Sequence, residues 1–87
     1  MRLNADQHSP FWWCKVLYDR GFHPHSLRVR IDGIDSDKVV EADSDEGWAD
    51  VLATGPDGKI LHDETKPGPV IERVHGRIEF FSGEVAL

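Results

Sequence analysis

Gly55-Pro56-Asp57-Gly58 is the strongest turn punctuation in this chain, and it separates two β-leaning runs. Proline presets φ for the first corner of a type I turn, aspartate suits the second, and glycine supplies the left-handed position that often follows as a bulge. The stretch from Gly47 to Asp63 therefore reads as a hairpin, with Trp48 to Thr54 and Lys59 to His62 as its arms. The rest of the chain is expected to attach to this hairpin as further strands and one helix.

Residues 1–8 are polar and are expected to be flexible. A set of helix signals follows, predicting a helix over 9–21. Ser9 can cap, Pro10 suits the first helical position, and Phe11 to Arg20 contains no breaker. Gly21 stands where a terminating glycine belongs, with Phe22 placed for a Schellman contact and Pro24 just beyond. Propensity pulls the other way, because Phe, Trp, Cys, Val and Tyr lean towards strand. On a helix, Phe11, Trp13, Cys14, Leu17 and Tyr18 share one broad arc, while Trp12 and Val16 form a second apolar stripe. Such a helix has something to bury on two sides.

Leu27 to Ile31 alternates strictly, with Leu27, Val29 and Ile31 on one face and Arg28 and Arg30 on the other. Asp32-Gly33 opens a turn, Lys38 to Ala42 reads as a further strand, and Lys66-Pro67-Gly68-Pro69 belongs to a proline-rich connection. Val70 to Phe81 is the last extended run, with Val70, Val74, Ile78 and Phe80 on one face. Gly76 interrupts it, so two short strands can replace one long one. These elements predict an α+β fold in a single domain, residues 1–87. One N-terminal helix packs on an antiparallel sheet of four to five strands within residues 26–81, or the fold is all-β if residues 10–20 are a strand.

Eighty-seven residues suit one domain with a thin margin of stability, and three Trp and four Phe can supply its core. A formal net charge of −6 argues against a nucleic-acid partner, which needs a basic face. No apolar run approaches a membrane span and the start carries no signal-peptide pattern, so a cytoplasmic setting is expected. Cys14 is the single cysteine and falls on the apolar helix face, where a thiol is inert.

Eight carboxylates lie between Asp32 and Asp50, yet no register among them meets the EF-hand pattern, and a solvated acidic rim is the expectation. His23-Pro24-His25 has a spacing that can bind metal if a third ligand arrives, from His8, His62 or His75. As turn residues the two need no metal, and none is expected. Arg28, Arg30, Arg73 and Arg77 lie on polar strand faces, where cross-strand pairing with Asp or Glu is their usual use. No nucleophile elbow, phosphate loop or cofactor signature is present, so no catalytic residue is assigned.

Three segments, Val39 to Trp48 (VVEADSDEGW), Pro56 to Ile60 (PDGKI) and Val74 to Glu79 (VHGRIE), resemble small uncharacterised bacterial proteins carried on mobile elements, in integron cassettes and prophages. The resemblance implies a bacterial, intracellular setting and a homo-oligomer, and brings no activity, cofactor or site residue with it. The expected function is a homo-oligomeric interaction or binding module, a dimer or tetramer, with Trp12 and Val16 in or beside the interface. The alternatives are a small enzyme or a small-molecule or metal-binding protein with its site near His23 and His25, and a phage-type assembly component.

Overall fold

Alternation along Leu27 to Ile31 gives β2 one buried face, and that face fixes its partners. The computed structural model describes residues 1–62, 64–65 and 67–87. Asp63, at the end of the expected hairpin, and Lys66, in the proline-rich connection, lie outside the described residues. Eight strands are described: β1 Arg2–Asn4, β2 Leu27–Ile31, β3 Ile34–Ser36, β4 Val39–Asp43, β5 Trp48–Leu52, β6 Ile71–His75, β7 Ile78–Ser82 and β8 Val85–Ala86. One α-helix, α1, spans Trp13–Asp19, and a 3-10 turn spans Pro24–Ser26.

Helix and antiparallel pairing are as expected, but the strands make two sheets of four, not one of four to five. The first runs β1-β4-β5-β6 and the second β3-β2-β7-β8. Their apolar faces meet: Leu3, Ala42 and Ala49 from the first sheet form one buried cluster with Val29, Ile78 and Phe80 from the second. A large ring at Phe80 is matched by alanines on the facing sheet, as a close-packed interior requires.

The segment 1–8 is not loose at its start. Leu3 is buried in the core and β1 pairs with β4 from Arg2↔Asp43 to Asn4↔Glu41. The helix is shorter than 9–21. Ser9 caps a turn ahead of it, its hydroxyl accepting from the Phe11 N–H at 3.1 Å while its carbonyl accepts from Trp12. The C-terminal end follows the expected Schellman pattern: Phe22 N–H reaches the Leu17 carbonyl and Gly21 N–H the Tyr18 carbonyl, with Gly21 at φ +82°. The buried line runs through Leu17 with Trp13 and Val16 packed beside the core. Tyr18, 76% exposed, and Phe11 lie outside it, so the expected broad arc is displaced.

The Gly55–Gly58 turn forms, with Gly58 at φ +78°, but its arms are short. Gly55 N–H donates to Lys59 and Leu61 N–H to Ala53, after which β5 takes β6 as its neighbour, from Trp48↔His75 to Leu52↔Ile71. A tighter hairpin lies at Asp32-Gly33. Both residues have positive φ, +52° and +81°, and Ile31 pairs directly with Ile34 across a two-residue loop.

Gly76 marks the passage of the chain from one sheet to the other. A Cβ there would lie 2.7 Å from Asp32 Oδ1, and that oxygen accepts the Arg77 N–H at 2.9 Å. Replacing Gly76 by alanine should displace the carboxylate and cost about 1–2 kcal/mol. Denaturant melts of Gly76→Ala, Asp32→Ala and the pair measure it: the double variant should lose less than the sum of the singles. Strict additivity would count against the contact.

Candidate functional site

The β3-to-β4 passage leaves the sandwich open on one side. β2 offers Leu27 and Val29, β4 offers Val39, and α1 lays Trp13 across the end; Pro24, His25, Ser36 and Asp37 complete the rim. The result is a groove of about 320 Å³ with an apolar floor and a polar lip. That volume is at the small end of ligand sites. An adjoining hollow shares Leu27, Val29, Ser36 and Asp37 and adds Arg28 and Asp35.

The histidine turn has a local explanation. His23 Nδ1 accepts the His25 backbone N–H at 3.2 Å, which starts the 3-10 turn, and the two rings lie 5.1 Å apart. His25 borders the groove, whereas His23 lines a shallower surface hollow with Tyr18 and Phe22. Among the described residues no group of three or more His, Cys, Asp or Glu is placed to hold a metal ion. Cys14 is half-buried on α1 and borders neither hollow.

The strand arginines are paired. Arg28 and Arg30 both donate to Asp35, at 2.8 and 3.0 Å, tying β2 to β3. Hydrogen bonds from Arg28, then Arg30, hold the Asp35 carboxyl below the usual carboxylate range. A depressed folded-state pKa contributes stability above the unfolded pKa and loses it as pH falls through the folded one. The stability gap between wild type and Asp35→Asn should therefore shrink on acidification, read by chemical denaturation at a series of pH values. A gap that stays constant from neutrality to well below the carboxylate range would contradict the pairing.

On the outer face of the first sheet, Trp48 lies between two guanidinium groups, Arg73 at 3.9 Å and Arg2 at 5.3 Å from the ring centroid. Each is anchored in turn: Arg73 by two bonds to Asp50 and Arg2 by Glu41. The residues proposed from sequence for an interface lie elsewhere. Trp12 is half-buried and bridges to Asn4, and Val16 packs against the chain's own core.

A different surface is the more apolar. Ile60, Leu61 and Ile71 are 39%, 44% and 51% exposed. Backbone bonds bring their segments side by side: Ala53 N–H donates to Val70, Val70 N–H to Leu61, and Leu61 N–H to Ala53. They lie beside β6, an edge strand of its sheet. Single-sequence reading could not find this cluster, because its members belong to two segments joined only by the fold. Comparison with known protein families, curated proteins and solved structures found no match to this chain. No described helix is long and apolar enough to cross a membrane, which says nothing of strands.

Proposed function

We propose that the chain is an interaction module that works as a homo-oligomer, a dimer or a tetramer, assembling through the β6 end of its first sheet. The exposure of Ile60, Leu61 and Ile71 together beside that edge carries the reading. Scattered apolar side chains on a surface need no partner, but a gathered set beside an open strand edge marks an interaction surface. A second copy supplies the same surface under two-fold symmetry, the commonest closed arrangement. The mobile-element resemblance is compatible with a small self-assembling protein and names no activity.

Light scattering on a sizing column tests this. Wild type at micromolar concentration should run at a multiple of the single-chain mass. Leu61→Lys with Ile71→Lys should run as a folded monomer, since both positions already face water. Trp12→Glu with Val16→Glu is the comparison: loss of assembly only in that pair, with its fold retained, would move the interface to the helix. A wild-type monomer would overturn the proposal.

A further inference from the structure

The groove has a charge preference that its lining decides. Five of its lining residues, Trp13, Pro24, Leu27, Val29 and Val39, present apolar surface. In the adjoining hollow, Arg28 is committed to Asp35, which also binds Arg30. Asp37, common to both hollows, has no hydrogen bond or ion pair among the described residues. Among the described residues, Asp37 is therefore the one carboxylate of the combined lining that no arginine holds, since Arg28 and Arg30 both bind Asp35.

An anionic ligand would meet Asp37 with nothing to neutralise it. A neutral one would gain only the apolar floor. A cation with an apolar body uses both, and Trp13 adds a ring face that attracts positive charge. The net charge of −6 draws cations from a distance as well. We propose that the groove binds a small amphipathic ammonium ion, its apolar body on Trp13, Leu27, Val29 and Val39 and its charged head at Asp37. The site includes none of Ile60, Leu61 and Ile71, so it stands or falls apart from the assembly reading.

The test titrates three probes of like size into the ¹⁵N-labelled chain: phenethylamine, 2-phenylethanol and phenylacetate. Phenethylamine should shift the Trp13 indole and the Asp37 and Val39 amide signals saturably. It should bind at least about tenfold more tightly than the alcohol, a difference set by the ion pair. Asp37→Asn should reduce it to the alcohol's affinity while leaving the alcohol's own affinity unchanged, and Val39→Trp should abolish both. Added salt should erode the advantage of the amine. Equal affinity for all three probes, tighter binding of phenylacetate, an unchanged response in Asp37→Asn, or no saturable shift by about 10 mM would overturn the proposal.

Discussion

Replacing Phe80 by alanine should remove about 3–5 kcal/mol of folding stability. Phe80 is 3% exposed and sits on β7 in the cluster that joins the two sheets. Its cross-strand partner Val29 and the facing Ala42 and Ala49 belong to the same cluster. Alanines have no side-chain length with which to collapse into the space a lost ring would leave, so the cavity term should approach its full size. Whole domains are stable by only about 5–15 kcal/mol, and a chain this short lies towards the low end. The thermal midpoint should fall by well over about 10 °C. A loss under about 1 kcal/mol in denaturant melts would mean that the sheets do not meet at Phe80.

Trp48→Ala should cost a comparable amount, about 3–5 kcal/mol, although Trp48 lies on the solvent side of its sheet. Only 8% of its surface is exposed, because Arg2 and Arg73 lie over the ring. An indole buries about 150–250 Å², worth several kcal/mol at about 25 cal/mol per Å². The attraction of guanidinium for the ring is the smaller effect. Arg73→Met should therefore keep most of the stability, since its stem still covers the indole, whereas Arg73→Ala should lose more. Equal losses in the two Arg73 variants would assign the effect to charge instead. Trp48→Ala within about 0.5 kcal/mol of wild type would remove Trp48 from the buried set.

Local chemistry in this sequence is read more easily than pairing. Gly21 and Phe22 end the helix as expected, because a Schellman end depends on six adjacent residues. Gly76 divides the last extended run as expected, and the face of Val74, Ile78 and Phe80 points inward on both sides of the break. Alternation shows that a strand has a buried face, but not which sheet holds the strand; the single expected sheet became two for that reason. The Gly55–Gly58 turn is right, yet Lys59 to His62 cannot compete with Ile71 to His75, which matches β5 at five positions and places Arg73 against Asp50. Asp32-Gly33, flanked by isoleucines, is the better hairpin signal, since both loop residues take the positive φ that a type I′ turn demands. β1 has a single core residue, Leu3, and so no period to detect. The groove is assembled from the helix, the 3-10 turn and the β2–β4 region; sequence alone marks His25 as a site candidate and Asp37 as part of an acidic rim, and places Trp13, Leu27 and Val29 only on apolar faces.

Self-association through the β6 end is the central claim, and an isotope-filtered NOE experiment addresses it most directly. Equal amounts of ¹³C-labelled and unlabelled chain are mixed, and only contacts between copies are recorded. The account predicts intermolecular NOEs from the methyl groups of Ile60, Leu61 and Ile71 to protons of the second copy. Intermolecular NOEs confined to Trp12 and other helix protons, or none at all in a sample whose line widths are those of a monomer, would contradict it.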